Sequence, residues 1–414
     1  MSKADALHDV IIVGAGIIGL SIAHYLQNEG RKVTLVDRKG IAQEASYGNA
    51  AAFAVTDLLP LASPGMLMKA PKWLMDPLGP LSIRPSYLPK ITPFLLKFFR
   101  ASWPDQYARS VEVQAEMMNL ARAEIAKISE MPKMGNQIRS DGALHLYENE
   151  ADAKANAEND RTRQEHGIPF RHVKGDELAE LQPGLSSHIR SATFLPSWQT
   201  VNDPYLWAMS VWDMVRSDGG ELIEAEVLDT NSAGEITLAD GQKLKGNNLI
   251  IAAGAWSHRL TEKLGDKIPL ETERGYNTTL PVGSFDLKRQ LMFGSHGFVM
   301  TPLSTGIRVG GAVEFAGLEA EPNYKRSEIM LQKAKKFLPD LSTTGGTQWM
   351  GFRPSLPDTL PAIGHASAST KITYAFGHGH LGLTQSLATA KLVADLVAGR
   401  TPTINMTPFN PSRF

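Results

Sequence analysis

A glycine-rich turn near the start of the chain is the clearest place for chemistry. Gly14, Gly16 and Gly19 are spaced G-x-G-x-x-G, directly after an apolar run and at the start of a helix-forming stretch. In that context the first glycine permits a tight turn, the second lets backbone approach a pyrophosphate, and the third lets helix and strand pack closely. The helix N-terminus offers free N–H groups to phosphate. The pattern predicts a dinucleotide site that also includes Ile17 and Ile18.

An acidic residue follows this turn at the spacing expected of a dinucleotide site. Residues 9–14 are predicted to form a buried strand, 16–29 a helix and 32–37 a second strand, which together make a βαβ unit. Asp37 ends the second strand. A carboxylate there binds ribose hydroxyls and repels a 2′-phosphate, so NADP is disfavoured.

Two later segments favour a flavin over a nicotinamide. Residues 249–257 read as a strand that ends in small residues, including Ala253 and Gly254, where a cofactor ring can approach. Residues 376–384 form a glycine-rich turn before the last helix, and its backbone donors suit the flavin edge that gains negative charge on reduction. We therefore expect FAD, with an NAD-dependent dehydrogenase as the alternative. His378 and His380 lack a nearby carboxylate or thiol, so no metal site is predicted.

The bulk composition limits the classes of function. The 414 residues are 43% hydrophobic and 21% charged, with 42 basic against 43 acidic side chains, so no basic face is offered to nucleic acid. The chain has no cysteine, which excludes disulfides, thiolate metal sites and a cysteinyl flavin link. No signal peptide and no transmembrane run is predicted, and we expect a cytoplasmic protein.

The elements that must position these residues recur along the chain. Mononucleotide-type elements lie at the start, in the middle and at the end, and a different architecture lies between them. We therefore predict an α/β (α+β) protein with two interleaved domains. The predicted Rossmann-type FAD-binding domain comprises residues 1–90, 197–265 and 345–414. The predicted substrate-binding domain comprises residues 91–196 and 266–344.

Four motifs together resemble the D-amino-acid oxidase superfamily. They are the N-terminal fingerprint, residues 44–51 with their Ser-Tyr-Gly-Asn-Ala run, the Ala-Ala-Gly-Ala-Trp-Ser segment at 252–257, and residues 351–364 followed by the Gly-His-Gly-His-Leu-Gly turn. The chain is most similar to the bacterial D-amino-acid dehydrogenase branch. The resemblance implies an FAD-binding domain built from three segments, and a substrate domain whose large antiparallel sheet covers the flavin. We expect FAD to be bound non-covalently, with a histidyl link as the alternative.

The resemblance also implies which positions contact the cofactor. One departure from the family is the run Asn49-Ala-Ala, where relatives often carry a glycine, and it would alter the backbone near the flavin. The implied cofactor positions are Gly14, Gly16, Ile17, Ile18, Gly19, Asp37, Arg38, Ser46, Asn49, Ala50, Ala51, Val227, Ala253, Gly254, Trp256, Gly351, Gly377, His378, Gly379, His380, Leu381, Gly382, Leu383 and Thr384.

Flavin-dependent amine oxidation needs an anchored carboxylate and a neutral amine. We predict that Arg353 is the anchor, since its planar fork binds two oxygens and the family places its substrate arginine there. Arg274 is a rival anchor. Tyr276 is a candidate for a second hydrogen bond to the carboxylate, the alternative being a sheet aromatic. His296 and His380 are candidates for contact with the amine.

The expected reaction is FAD-dependent oxidation of a small D-amino acid, with hydride transfer from the α-carbon to flavin N5 and an imine as product. D-proline or cis-4-hydroxy-D-proline is the narrow prediction. The alternatives are a glycine or sarcosine oxidase that uses oxygen, and a non-catalytic FAD-binding subunit of a larger amine oxidase.

The electron acceptor is expected to be a quinone or oxygen. Residues 58–103 combine leucine, phenylalanine, tryptophan, lysine and proline. This stretch is a candidate for peripheral contact at the inner face of the cytoplasmic membrane, with ordinary packing in the substrate domain as the alternative.

Overall fold

Helices and strands alternate along the chain, and most of the strands belong to two large sheets. The structure is a computed structural model that describes residues 7–65, 79 and 81–414. The strands of the described residues, β1 to β20 in chain order, are Leu7–Val13, Val33–Asp37, Ala52–Phe53, Leu81–Ile83, Ile138–Arg139, Ala143–Tyr147, Arg171–Lys174, Ser191–Leu195, Gln199–Val201, Glu221–Glu224, Val227–Thr230, Glu235–Leu238, Lys243–Ile251, Glu271–Leu280, Gln290–Phe293, Phe298–Leu303, Gly306–Phe315, Thr347–Ser355, Ala362–Ala366 and Ser369–Phe376. The α-helices of the same residues, α1 to α11, are Ile17–Asn28, Leu88–Ala101, Pro104–Ser129, Pro132–Gly135, Glu150–Ala155, Ala157–Glu165, Gly175–Leu181, Pro204–Ser217, Ser257–Lys263, Lys325–Phe337 and Gly382–Val397.

The first sheet has a parallel core in the order β10-β2-β1-β13-β20. The run from Val10 to Val13 is buried on both faces of this sheet. Ile11 and Val13 pack in one hydrophobic core, and Val10 and Ile12 pack in another on the side of the helices. Helices α1, α8 and α11 share one hydrophobic core on that side. This sheet carries the predicted βαβ unit, with its helix at Ile17–Asn28.

The first sheet continues as an antiparallel extension beyond its parallel core. Glu221–Glu224 is not part of that extension, because it pairs in parallel with β2. The meander is β11-β12-β13, and its last strand turns into the parallel core. The first half of β13 pairs with β12 and the second half with β20, so one strand joins both regions.

The second sheet follows the order β18-β14-β17-β16-β15-β6-β8-β7, and β4 pairs with β17. Its pairs are antiparallel except β15 with β6 and β4 with β17, which confirms the predicted large antiparallel sheet. Helix α10 covers its back face, where Phe337 stacks on Phe293 with ring centroids 5.0 Å apart. The opposite face looks toward the first sheet.

Sheet membership does not follow the predicted segment ends at residues 90 and 345. Leu81–Ile83 and Thr347–Ser355 fall in the segments assigned to the FAD-binding domain, yet both pair within the second sheet. Backbone pairing therefore groups them with the substrate side, and the division into domains stays a prediction. Within the described part of the chain, no helix combines the length and apolarity needed to span a bilayer.

Candidate active site

A cavity of about 960 Å³ lies between the carboxyl ends of the parallel strands and the open face of the second sheet. Gly14, Asp37 and Gly254 line it from the first sheet, and Glu273 and Arg353 line it from the second. In open α/β sheets, ligands bind at the carboxyl ends of the strands. The cavity therefore joins a predicted cofactor region to a predicted substrate anchor.

The glycine turn at the end of β1 leaves no room for side chains. Gly14 has φ +111°, and an added Cβ would lie 2.3 Å from the carbonyl oxygen of Ala252. A Cβ on Gly19 would lie 2.0 Å from the carbonyl oxygen of Gly14. Both distances are far below van der Waals contact, so the strand, the turn and helix α1 can pack this closely only with glycine.

Asp37 and Ser46 organise the backbone around that turn. The Asp37 carboxylate accepts the N–H groups of Ala15 and Lys39, each at 2.8 Å. Ser46 Oγ accepts the N–H of Ile17 at 2.9 Å, at the first residue of helix α1. A carboxylate has about four acceptor sites, so Asp37 keeps capacity for ribose hydroxyls.

Arg38 closes one side of the cavity beside Trp256. Its guanidinium lies 3.8 Å from the centroid of the Trp256 ring and donates to Glu44 Oε1 at 2.6 Å. This contact gives Trp256 a cation–π partner at the cavity wall.

The second sheet fixes the loop that carries Asn49, Ala50 and Ala51. The Ala50 carbonyl accepts Gln290 Nε2 at 3.1 Å and Thr301 Oγ1 at 3.0 Å. Ala51 has φ +58°, a left-handed conformation that costs about 1 kcal/mol for a residue with a Cβ. A glycine would avoid that cost, so alanine is the less favourable residue for this backbone conformation. Ala51 is fully buried and does not line the cavity.

The C-terminal turn brings the start of helix α11 to the cavity. Helix α11 begins at Gly382 without a side-chain cap, so its first N–H groups remain available to a ligand. Gly379, Leu381 and Leu383 line the cavity with it. Gly377 and Thr384 do not line the cavity. Thr384 Oγ1 instead accepts the N–H of Ala54 at 2.9 Å.

His378 and His380 have different surroundings. His378 is buried, its Nε2 lies 2.9 Å from Thr389 Oγ1, and burial lowers its pKa to about 3, so the ring is neutral. His380 is partly exposed to the cavity, and its Nε2 lies 2.6 Å from Glu273 Oε2. Only His380 is placed to meet a ligand through its side chain.

The side chain of Arg353 lies over Gly275 of the neighbouring strand β14. A Cβ added to Gly275 would lie 2.2 Å from Arg353 Nη2, so the guanidinium needs that glycine. Nη1 donates to the Ala312 carbonyl at 3.0 Å, which leaves other donors free. Burial lowers the pKa of Arg353, although nearby Glu273 opposes this effect. The half-buried guanidinium is thus a fixed cation in the cavity wall.

Glu273 is a buried carboxylate that the sequence did not single out. Burial acts to raise its pKa, but the charges of His380 and Arg353 and the hydrogen bond from His380 lower it overall. It pairs in register with Arg353 across β14 and β18. The sequence did carry a signal for Glu273, because alternate residues of a strand share a face and Glu273 stands two residues before Gly275.

In the structure Tyr276, His296 and Arg274 direct their polar groups toward other protein groups. Tyr276 borders the cavity, but its hydroxyl donates to Glu314 and accepts the N–H of Asn323. Arg274 is fully buried, and its Nε donates to the carbonyl of Gly317.

These two side chains occupy the face of β14 opposite Glu273 and Gly275, which is why the predicted hydrogen bond from Tyr276 has no support. His296 lies outside the cavity lining, with its Nε2 2.5 Å from Glu148 Oε1 and its ring 5.0 Å from that of Phe337. Its predicted contact with an amine therefore has no support either.

Most of the predicted cofactor positions line one continuous surface. They are Gly14, Gly16, Ile17, Ile18, Asp37, Arg38, Ser46, Asn49, Ala50, Val227, Ala253, Gly254, Trp256, Gly351, His378, Gly379, His380, Leu381, Gly382 and Leu383. Gly19, Ala51, Gly377 and Thr384 instead support the backbone behind that surface.

The fold and the cavity define an FAD-dependent oxidoreductase with two large sheets facing one site. The family model described as DAO, FAD dependent oxidoreductase, matches residues 9–396, and the chain belongs to this family. NAD-dependent dehydrogenation, the alternative from the first motif, does not fit this membership.

Similar proteins cover nearly the whole chain. A D-amino-acid oxidase of Bradyrhizobium diazoefficiens is 35% identical, over 98% of this chain and 98% of its own. A D-amino acid dehydrogenase of Chromohalobacter salexigens is 28% identical, over 98% and 99%. Among solved structures, glycine oxidase from Geobacillus kaustophilus superposes with a TM-score of 0.73 at 20% identity, over 98% and 99%. The last comparison shows the shared fold.

The residues present fit FAD. The glycine turn of β1 and α1 offers a cradle that any Cβ would fill, and Asp37 and the start of α11 add an acceptor and a donor surface. Non-covalent binding remains a prediction.

The close approach of Gly19 to Gly14 predicts that Gly19→Ala loses the cofactor. The added methyl would push helix α1 from the turn, and the pyrophosphate cradle would open. Absorbance of flavin per polypeptide after gel filtration measures this effect. Gly65→Ala is the matched control, since its Cβ would meet nothing within 4 Å. Full flavin content in Gly19→Ala would contradict the cradle.

Proposed function

We propose that this protein uses FAD to oxidise a D-amino acid to an imine. The observation that carries the proposal is Arg353, a half-buried guanidinium in the wall of the cavity whose donors other than Nη1 have no hydrogen-bond partner among the described residues. Its planar fork matches a carboxylate, which every amino acid carries. The names of the 35% and 28% identical relatives support the D-amino acid class.

In this proposal Arg353 anchors the substrate carboxylate and so orients the α-carbon. The contact with Ala312 and the stacking over Gly275 limit the rotamers of the long side chain before substrate arrives. Such preorganisation lowers the entropy lost on binding. FAD, when bound, supplies the acceptor for the hydride from the α-carbon.

Glu273 and His380 would handle the proton of the substrate amine. An amine must be neutral before it can lose hydride from its carbon, and amino acids arrive as ammonium ions. If His380 donates Nε2–H to Glu273, its Nδ1 carries the lone pair that accepts a proton. Glu273 is then a positioning residue that fixes the tautomer.

The narrow choice of substrate is D-proline or cis-4-hydroxy-D-proline. It rests on the Gly-His-Gly-His turn, which places His380 in the cavity and the neutral, buried His378 behind it. Oxidation of a cyclic amine would leave a ring-closed imine, whereas open-chain substrates would give an imine that hydrolyses to a 2-oxo acid and ammonia.

Helix α2 supports a peripheral membrane contact and, with it, a quinone acceptor. Leu88, Leu96 and Phe99 are exposed on this helix, and exposed Trp103 follows it. Arg100 lies 4.7 Å from the Trp103 ring. Exposed apolar and basic side chains on one helix suit an anionic lipid surface. Part of the stretch predicted from sequence, including Trp73, lies outside the described residues.

Anaerobic bleaching of the flavin tests the proposed reaction. D-alanine, D-proline and cis-4-hydroxy-D-proline should each be compared with glycine, sarcosine and the L-enantiomers. We expect the D-amino acids to bleach the flavin and the L-enantiomers not to. Bleaching by glycine or sarcosine alone would replace the proposal with an amine oxidase, and no bleaching at all would leave only a flavin-binding subunit.

Arg353→Ala is the mutational arm of the same experiment. The variant should retain flavin and lower kcat/KM by about a hundredfold or more, because the charged hydrogen-bond partner of the substrate carboxylate is lost. Arg353→Lys should recover only part of the activity, since it keeps the charge without the fork. Arg216→Ala, at an exposed arginine, is the control. Unchanged kinetics in Arg353→Ala would rule out the anchor.

Glu273→Gln should lower kcat for flavin reduction while substrate binding persists. The amide that replaces the carboxylate can present either an acceptor or a donor to His380 Nε2, so it no longer fixes the tautomer of the ring. We expect kcat to fall and KM to stay within about twofold, since the contacts at Arg353 are unchanged. His380→Asn should lower kcat as well. A kcat that Glu273→Gln leaves unchanged would assign Glu273 a structural role alone.

Co-sedimentation with anionic liposomes at low salt tests the membrane contact. The wild type is expected to sediment, and Leu96→Ser with Phe99→Ser should stay in the supernatant, since both side chains are exposed. Val282→Ser, at an exposed residue elsewhere, is the control. Equal sedimentation of all three would discard helix α2 as the contact.

A further inference from the structure

A second polar group lines the same cavity away from Arg353. We name Asp57, His145 and Arg163 the distal cluster. Asp57 and His145 line the cavity, and Arg163 lies behind them with 2% of its side chain exposed. Nothing in the amine chemistry described above uses these residues.

Asp57 is weakly partnered among the described residues. Its side chain is 40% exposed, and its nearest cation there is Arg163, whose Nη2 lies 3.8 Å from the carboxylate, beyond hydrogen-bond distance. Desolvation in the cavity raises the pKa of Asp57, and the charge of Arg163 opposes this shift. Arg163 is bound more tightly by Asp160, at 3.0 Å. Two carboxylates therefore share one guanidinium. The other titratable neighbours among the described residues are His145 and Tyr147, which feel the charge of Arg163, and exposed His172, 3.6 Å from Asp160.

His145 adds an unpaired polar atom. It lies on strand β6, and its buried Nε2 has no hydrogen-bond partner among the residues that the structure describes. Burial, with a contribution from Arg163, lowers its pKa to about 3, so the ring is neutral at physiological pH. A neutral ring offers one acceptor and one donor. Buried polar atoms normally have partners, and a ligand group is a natural one here.

The sheet register places this cluster at a distance from the carboxylate anchor. Arg353 reaches the carbonyl of Ala312 on β17, and His145 lies on β6. The strands between them are β16 and β15, so three strand spacings, about 14 Å, separate the two strands.

The wall between the two ends is apolar. Val299 pairs with Met292, and Met292 pairs with His145, so the three residues form one row across the sheet. Both apolar residues line the cavity. The methylene groups of a substrate anchored at Arg353 would thus contact apolar side chains, and only its far end would meet polar groups.

We propose that the distal cluster is a subsite for the cationic end of a long D-amino acid side chain. An ammonium or guanidinium would neutralise Asp57 and give its carboxylate the hydrogen bonds it lacks. His145 Nε2, in the acceptor tautomer, would accept a further N–H. The side-chain methylenes would pack on Met292 and Val299. This inference rests on the proposed oxidation of D-amino acids, and it is independent of the choice of proline as substrate.

The test compares D-lysine with D-norleucine, which has the same chain length and no terminal charge, and with D-alanine, which is too short to reach the cluster. Wild-type kcat/KM should be higher for D-lysine than for D-norleucine. Asp57→Asn should lower kcat/KM for D-lysine by about tenfold, the loss expected for a hydrogen bond to a charged group. The value for D-alanine should stay within about twofold, since its interactions at Arg353 are unchanged.

Two controls separate specificity from damage. Asp213→Asn, at an exposed carboxylate, should leave all three substrates unchanged. His145→Gln should lower D-lysine turnover and spare D-alanine. An equal loss on D-lysine and D-alanine in Asp57→Asn would overturn the subsite, as would an absence of preference for D-lysine in the wild type. Activity on D-alanine in those cases leaves the proposed function standing, whereas failure of every D-amino acid to bleach the flavin overturns both.

Discussion

The rest of the site depends on a steric constraint at the start of helix α1. Gly14 and Gly19 bring strand and helix so close that no Cβ fits between them. The constraint directs the helix N-terminus at the cavity, and Asp37 holds the turn through the N–H groups of Ala15 and Lys39. A phosphate-binding surface of backbone groups is rigid because its geometry is set by packing rather than by mobile side chains.

In the second sheet a glycine likewise makes room, here for a charged side chain. Gly275 clears the space for Arg353, whose neighbour in register is Glu273, and Glu273 in turn lies against His380 from the C-terminal turn. Residues from three distant parts of the sequence therefore form one charged group. The burial of Glu273 is tolerable because two cationic or hydrogen-bonding partners compensate its desolvation.

Local patterns in the sequence predicted the parts of this site that depend on local geometry. The glycine turn, Asp37 and the small residues after β13 each carry a signal within a few residues, and the structure places them at the cavity. Strand alternation decides the rest. Tyr276 and Arg274 stand next to Gly275 in sequence but project to the opposite face, where Glu314 lies close to both side chains. Asp57 and His145 meet only through tertiary packing, so no spacing in the sequence relates them.

The two ends of the cavity differ in their charged side chains. At one end the Arg353 cation, the buried Glu273 carboxylate and the His380 imidazole lie together. At the other end Asp57 has only Arg163, 3.8 Å away, as a counter-charge among the described residues, and apolar Val299 and Met292 lie between the two ends. A D-amino acid with a cationic side chain would be oriented with its carboxylate at Arg353, because the reverse orientation sets its carboxylate beside Asp57 and its side-chain cation beside Arg353. Electrostatics of the wall would thus select which atom of the substrate faces the flavin, before any contact with the reacting carbon is made.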